Sequence, residues 1–293
     1  MAENQREFDR VVRLDAARLA DRLAAEAGVR LEVEGLSSGG QVGAAYVRWP
    51  DGHRSVLTYV PAAALTRSRE TARNLEFVLR AGVPAPRYEL VVDLGDEVAI
   101  VQELMPGHPP SRVDVDLIEQ MLEINHRLYG VLAGIPDIAA VPLYLTESGP
   151  GFHLHEPLQS YSDRSCRLLG WIREVGRSVP PTMVGDDLVH VDYHPGNVLV
   201  DDSGTISAVV DWNGTARGDA RFAIVVMRFS GPPGQLAPDV VARIDRALDE
   251  ELTPDELRPY WAALSLRLVD WSIRHFSAPD TERWLDLAES RIS

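Results

Sequence analysis

The spacing of apolar residues divides the chain into a first third of mixed strands and helices and a remainder that is mostly helical. Ala16, Leu19 and Leu23 recur at helical spacing and predict a helix over about residues 8–27. Short β-prone runs bounded by Gly, Pro and Asp follow it. The predicted elements are strands near 31–33, 44–49 and 55–60, a helix over 65–80, and strands at 88–93 and 98–103. Because Asp51-Gly52 is a hairpin signal, we expect an antiparallel sheet.

The rest of the chain has a helical period. Its predicted helices include one around residues 117–128, one over about 160–175 and several in the C-terminal third. We therefore predict an α+β protein with two lobes and a cleft between them. The small N-terminal lobe, residues 1–104, carries the antiparallel sheet, and the larger C-terminal lobe, residues 105–293, is mostly helical.

Composition limits the compartment in which the protein works. The chain has 293 residues, of which 45% are apolar, but no run approaches the roughly 18 uninterrupted apolar residues of a membrane span. Its first residues lack the apolar core of a signal peptide. The lone Cys166 permits no intrachain disulfide and fits a reducing compartment. We predict a cytoplasmic protein with no membrane partner, either a monomer or a homodimer.

The net charge of −15 argues against a nucleic acid partner, because phosphate backbones would be repelled. It favours a cationic small molecule instead. An acidic balance is also a common means of keeping a protein soluble, so both interpretations stay open.

One stretch, Leu188 to Trp212, combines the residue types that phosphoryl transfer requires. Two β-prone runs flank a turn of Asp, Ser and Gly, which predicts a hairpin. The hairpin brings its ends, Asn197 and Asp211, close together, and their oxygen atoms are ligands that Mg²⁺ prefers. Asp192 lies on the preceding loop, where a carboxylate could accept a hydroxyl proton. Ordinary turn residues are the alternative, but the spacing matches the catalytic-loop asparagine of kinases.

The segments H-V-D-Y-H-P-G-N and V-V-D-W resemble the signature of the aminoglycoside phosphotransferase family, whose fold is similar to that of protein kinases. The resemblance implies that Asp192 is the catalytic base and that Asn197 and Asp211 bind Mg²⁺. It also implies that His190 braces the catalytic loop and that His194 shapes the turn rather than reacting.

The small lobe supplies the residues that the resemblance assigns to ATP or GTP. A Gly-rich turn with Ser38, Gly39 and Gly40 follows a strand, and glycines let backbone N–H groups approach phosphate oxygens. The segment V-Q-E-L-M-P-G resembles the family's hinge, where backbone groups around Glu103 and Met105 would pair with the adenine edge.

The strand lysine that kinases use for the α- and β-phosphates is missing. Its position falls at Thr58, and all 29 Lys and Arg residues of the chain are arginine. Arg48 or Arg54 could replace it, although alternation puts Arg54 roughly 13 Å from Thr58 along the strand. Further on, Ala223 stands where the family has a later, supporting aspartate.

These features predict an O-phosphotransferase that uses ATP or GTP with Mg²⁺ and acts on a hydroxyl of a small molecule. An antibiotic, such as an aminoglycoside or another natural product, is the favoured acceptor. A kinase of choline, an amino sugar or another metabolite is one alternative, and a catalytically inactive, pseudokinase-like nucleotide-binding protein is the other. Acceptor-binding residues are not predicted, because tryptophans at helical spacing are more often core residues. The candidates considered are Trp261, Asp270, Trp271, Trp284 and Asp286, with the connection at residues 134–156 as either a gating loop or a linker.

Overall fold

A five-stranded antiparallel sheet forms the small lobe. The structure is a computed structural model that describes residues 13–37, 43–135, 137–231 and 234–292. The strands are β1 (Glu32–Leu36), β2 (Ala45–Arg48), β3 (Arg54–Pro61), β4 (Tyr88–Asp93) and β5 (Glu97–Glu103). Their spatial order is β1-β2-β3-β5-β4, so β3 lies at the centre and Thr58 is paired with Ile100 on β5. The predicted antiparallel sheet is confirmed.

Two helices accompany this sheet. Helix α1 (Ala16–Ala27) begins at Asp15, whose side chain accepts a hydrogen bond from the Arg18 N–H at 3.1 Å. Leu19 and Leu23 are buried in a cluster with residues of one sheet face. This buried side of α1 accounts for the helical spacing of its apolar residues. The part of this predicted helix before residue 13 lies outside the described residues. Helix α2 (Leu65–Arg80) has the bounds that the sequence predicts.

Seven helices of the described chain build the larger lobe. They are α3 (Val115–His126), α4 (His155–Tyr161), α5 (Asp163–Ser178), α6 (Phe222–Arg228), α7 (Pro238–Glu251), α8 (Pro254–His275) and α9 (Ala278–Glu289). The single helix predicted over about 160–175 is two helices, because Ser162 is extended and caps α5. Its hydroxyl accepts from the Ser165 N–H and the Ser165 hydroxyl accepts in return, which is a capping box. Helix α8 is the longest and packs against α4, α5 and α9.

Two short strand pairs lie at the junction of the lobes. Strand β6 (Asp187–Val189) pairs with β9 (Ala216–Gly218), and β7 (Val198–Val200) pairs with β8 (Ile206–Val209). The β7–β8 pair is the predicted hairpin. Its turn is held by Asp201, whose carboxylate accepts from the Ser203 N–H at 2.8 Å and the Thr205 N–H at 3.0 Å.

The connection between the lobes is bound to this hairpin. His108 exchanges two backbone hydrogen bonds with Val200, at 3.0 and 2.8 Å, and the Ser207 hydroxyl donates to the Pro106 carbonyl at 2.7 Å. Gly107 between them has φ 106°, and a Cβ there would lie 2.8 Å from the Val200 carbonyl oxygen and would also collide with Ser207. Only glycine fits this position.

The predicted fold class is therefore confirmed: a small lobe with an antiparallel sheet is joined to a larger, mostly helical lobe. The exact division into residues 1–104 and 105–293 remains a prediction. Within the described chain, no helix has the length and apolar character needed to span a membrane.

Candidate active site

The loop between β6 and β7 carries Asp192 and Asn197 and folds back on itself. The Asn197 side-chain amide donates to the Asp192 carbonyl oxygen at 2.9 Å and lies 3.4 Å from the Asp192 carboxylate. A short 3₁₀ turn, Pro195–Asn197, makes this approach possible. The two residues that the sequence assigns to base and metal are therefore neighbours in space.

His190 connects this loop to the strand that precedes Asp211. It is 1% exposed, and its Nε2 lies 3.0 Å from the Val210 carbonyl oxygen while its Nδ1 accepts from the Asp192 N–H at 3.2 Å. Since a carbonyl can only accept, the proton is on Nε2 and the ring is neutral. Burial lowers the pKa of His190, which is consistent with that state. The contacts fit the predicted bracing role.

His194 shapes the turn that follows Asp192. Its Nδ1 accepts from the Gly196 N–H at 3.0 Å, and its Nε2 lies 3.6 Å from the Asp192 carboxylate. The ring thus caps the 3₁₀ turn and presents an N–H edge toward Asp192. This agrees with a loop-shaping role.

Arg267 on α8 binds the Asp192 loop at two points. Its guanidinium donates to the Val191 carbonyl oxygen at 2.7 Å and to Asp192 Oδ1 at 2.8 Å. Burial alone would raise the pKa of Asp192, but His194 and Arg267 outweigh it and hold the pKa well below its usual range. Asp192 is therefore a fixed, ionised carboxylate. Arg267 was not predicted from the sequence; its signal there is an arginine within the mostly apolar stretch of α8.

Asn197 and Asp211 lie at adjoining strand ends, as the hairpin predicts. The Val210 N–H donates to the Asn197 carbonyl oxygen at 2.9 Å, so the two backbones run side by side. Asp211 has φ 59°, an uncommon conformation for a residue other than glycine, and one carboxylate oxygen accepts from the Asn213 amide at 3.0 Å.

This donor set fits Mg²⁺. The Asn197 amide nitrogen is used by Asp192, which leaves its oxygen for a ligand, and Asp211 is exposed. Within the described chain, no three His, Cys, Asp or Glu side chains converge as a metal site. Mg²⁺ does not need such a cluster, because it takes one or two protein oxygens together with water and phosphate oxygens.

At Thr58, the position where kinases have a lysine, the small lobe carries no positively charged side chain. The Thr58 hydroxyl donates weakly to the Gly43 carbonyl oxygen at 3.4 Å. Arg48 and Arg54 do not extend toward it: their Nε atoms donate to the two carboxylate oxygens of Glu34, at 2.7 and 2.6 Å. The positions of the two arginines therefore do not support the suggestion that either replaces the lysine, because Glu34 on β1 binds both.

The remaining nucleotide residues divide into two groups. Ser38, Gly39 and Gly40 lie outside the described residues. Glu103 ends β5, and its N–H donates to the Arg87 carbonyl oxygen at 2.9 Å. The Met105 N–H donates to no other residue in the described part of the chain, which leaves it available to a ligand.

Of the acceptor candidates, Trp271 is half-buried and lies on α8 one helical turn beyond Arg267. Trp261 and Trp284 are core residues, 1% and 2% exposed. Asp286 binds Arg164 on the outer surface. Asp270 is fully buried and accepts from the Leu154 N–H at 2.9 Å, so it fixes the connection at residues 134–156 against α8. The end of the connection at Leu154 is therefore packed rather than free.

A small sheet lobe above a helical lobe, with Asp, Asn and Asp side chains at the junction, defines a kinase-like phosphotransferase. The family model described as the phosphotransferase enzyme family matches residues 32–271. The chain belongs to this family, and the resemblance seen in its sequence is confirmed.

Solved structures share the fold at low sequence identity. Spectinomycin phosphotransferase APH(9)-Ia, in complex with ADP and spectinomycin, is 12% identical over 95% of this chain and 98% of its own, with a TM-score of 0.63. A thermostable mutant of aminoglycoside phosphotransferase APH(4)-Ia is 16% identical over 93% and 97%, with a TM-score of 0.62. A candidate fructosamine-3-kinase from Haemophilus somnus is 12% identical over 94% and 97%, with a TM-score of 0.59. No curated protein matches the chain significantly.

Proposed function

We propose that this protein transfers the terminal phosphoryl group of ATP to a hydroxyl group of a small molecule, with Mg²⁺ held by Asn197 and Asp211. The observation that carries the proposal is the clustering of Asp192, Asn197 and Asp211 at the lobe junction, braced by His190. ATP is favoured over GTP because structural neighbours of this fold contain ADP.

The state of Asp192 fits a loose transition state. A carboxylate with a depressed pKa is a weak proton acceptor but a good hydrogen-bond acceptor. In phosphoryl transfer little covalent chemistry is left for the protein, so positioning of the hydroxyl contributes most. Asp192 would orient the acceptor hydroxyl and take its proton late. Bound Mg²⁺ would offset charge on the phosphates.

Arg267 is a positioning residue in this proposal. It fixes Asp192 Oδ1 and the adjacent Val191 carbonyl. Among the described residues, Asp192 Oδ2 has only the longer contacts with the Asn197 amide at 3.4 Å and His194 Nε2 at 3.6 Å, and it would accept from the acceptor hydroxyl. Such restraint limits the freedom of the reacting groups, which is a large part of enzymatic rate enhancement.

An antibiotic is the favoured acceptor. Structural neighbours include the spectinomycin complex above and a complex of APH(4)-Ia with ADP and hygromycin B. A metabolite kinase is the second candidate, motivated by the fructosamine-3-kinase neighbour. A resistance role follows only if the acceptor is an antibiotic, and the protein then acts in the cytoplasm where ATP is available.

A non-catalytic nucleotide-binding protein is the third candidate. It is motivated by Thr58, which carries no charge, and by the engagement of Arg48 and Arg54 with Glu34. Against it, Asp192 is held in place by His190, Asn197 and Arg267. A protein that only binds nucleotide has no need of these contacts.

Nucleoside diphosphate release separates these candidates. The purified protein is incubated with Mg·ATP and a panel of antibiotics, amino sugars and amino alcohols, beside Asp192→Asn and Asp202→Asn. Asp202 is a fully exposed turn residue of the same hairpin, so it is the matched control. We expect acceptor-dependent release that Asp192→Asn abolishes and Asp202→Asn retains. Nucleotide binding without any release above Asp192→Asn would favour the non-catalytic protein.

A further inference from the structure

We infer that Phe152, Trp271, His275 and Phe276 form an acceptor-binding surface, here called the aromatic wall, which takes an uncharged hydroxylated compound through an apolar ring face. The inference rests on the proposed phosphotransfer at Asp192 and names the class of its acceptor. It departs from the cationic acceptor that the net charge favours.

The aromatic wall is a continuous set of ring contacts. The ring centroid of Phe152 lies 5.4 Å from that of His275 and 6.4 Å from that of Trp271, and both pairs meet edge-on. The ring centroids of Trp271 and Phe276 are 4.6 Å apart. Phe276 is 43% exposed, and Phe152 and Trp271 are half-buried. Core rings of this protein, such as Trp261, are almost fully covered. The aromatic wall therefore keeps apolar surface open to a ligand.

The position of the aromatic wall follows from α8. Trp271 is four residues beyond Arg267 and so lies on the same helix face, about 6 Å further along the axis. Arg267 contacts Asp192 at 2.8 Å. Phe152 lies opposite this part of α8, since its ring contacts Trp271 and the Leu154 N–H donates to Asp270 at 2.9 Å. The aromatic wall therefore begins one helical turn from Arg267, the residue that binds Asp192.

The charges around the aromatic wall are already paired. Asp270 is fully buried and binds Arg274 at 2.7 Å, and the Arg274 guanidinium lies 5.0 Å above the Phe152 ring. Arg267 is paired with Asp192. Asp270, the carboxylate next to Trp271 in sequence, is thus bound by Arg274 and closed to the ammonium groups of a polycation.

The overall charge of −15 does not reverse this conclusion. Exposed charges are screened beyond about 8 Å at physiological salt, so remote carboxylates attract a cation to the protein without holding it at the wall. Aromatic ring faces also attract ammonium groups, but the Arg274 guanidinium already occupies that position over Phe152, at 5.0 Å from the ring centroid. An uncharged ring, in contrast, gains from contact with Phe152 and Trp271.

A pair of matched glycosides tests the inference. Binding of phenyl β-glucoside and of methyl β-glucoside is measured by ligand-observed NMR with the full chain and Mg·ADP present. We expect the phenyl compound to bind about ten- to a hundredfold more tightly, as burial of one ring implies. Phe152→Ala and Trp271→Ala should remove this preference. Phe77→Ala is the control, because Phe77 is also half-buried beneath an arginine, Arg80, at 5.5 Å.

Two further variants keep the test decisive if an alanine variant does not fold. Phe152→Leu keeps the volume without the ring and should lose the preference, whereas Trp271→Phe keeps a ring and should retain most of it. Equal binding of the two glycosides overturns the inference. A preference for the phenyl compound that survives in both Phe152→Ala and Trp271→Ala overturns it as well. So does competition by 2-deoxystreptamine, a hydroxylated dication, at the concentration at which the phenyl compound binds.

Failure of the proposed function has a different signature. In that case no acceptor would release nucleoside diphosphate above Asp192→Asn, whatever the glycosides show. The binding measurement judges the aromatic wall, and the turnover measurement judges the chemistry.

Discussion

Replacement of Arg267 by methionine would remove the guanidinium and keep a long apolar stem. The wild-type side chain donates to the Val191 carbonyl oxygen at 2.7 Å and to Asp192 Oδ1 at 2.8 Å. Both contacts are on the loop that carries Asp192. We therefore expect the variant to fold and to bind nucleotide, but to hold Asp192 less firmly.

The size of the effect follows from these contacts. A hydrogen bond to a charged group contributes about 1.5–3 kcal/mol, and the 23% and 33% exposure of the two side chains places this bond at the lower end. A loss of about 1.5 kcal/mol in the transition state is about tenfold in kcat. Displacement of the carboxylate by about 1 Å can cost about a hundredfold. We expect kcat to fall between these limits, with the KM for ATP changed less than about twofold.

Steady-state kinetics with thermal unfolding checks this expectation. Arg258→Met is the matched control, since Arg258 lies on the same helix and pairs with Glu174 at 3.5 Å on the surface. The kcat of Arg267→Lys should lie between those of the wild type and Arg267→Met. A single ammonium group would replace a planar guanidinium that reaches two oxygen atoms. An unchanged kcat in Arg267→Met would refute the reasoning. So would a loss that Arg258→Met reproduces.

Three other predictions concern pH, metal and nucleotide. Burial and the Arg267 charge lower the pKa of His153 to about 4, so the unfolded chain takes up the proton first and stability falls as pH drops below about 6.5. His153→Gln should reduce the loss of unfolding free energy between pH 7.5 and pH 5 by about 2 kcal/mol, measured by urea titration; an identical loss in both proteins would contradict this. Asp211→Asn should raise the Mg²⁺ concentration for half-maximal activity by about tenfold or more, with weaker Mn²⁺ binding by electron paramagnetic resonance, and unaltered Mn²⁺ affinity would exclude the ligand role. Thr58→Lys should lower the KM for ATP by about three- to tenfold by adding a charge-assisted contact to phosphate, and an unchanged KM would mean that the site is already neutralised.

Local chemistry made most of the fold predictable. The Asp201 turn fixes the β7–β8 hairpin by contacts within four residues, and α2 has the bounds of its apolar period. The break at Ser162 was also encoded locally, in a capping box that the helical period concealed. Such features depend on neighbours in sequence, so they can be inferred without a structure.

The candidate site was predictable only in part, because some of its contacts join residues that are far apart in the sequence. Asp192, Asn197 and Asp211 share one short segment, and their proximity follows from its hairpin. Arg267 is 75 residues from Asp192, and nothing local indicates the pairing. Strand alternation gives the face of Arg54 but not its partner, because Glu34 comes from another strand next to an irregularity in register.

The contact between Gly107 and the β7–β8 hairpin determines which parts of the enzyme can move. The strands that carry the proposed metal ligands hold the linker at Val200, so that end of the linker cannot shift without disturbing them. We therefore expect any opening of the cleft to take place on the small-lobe side of Pro106. The small-lobe sheet would then move relative to a fixed loop of Asp192 and Asn197, and product could leave while these residues keep their alignment. A side chain at position 107 would act as a catalytic defect, although it touches neither substrate.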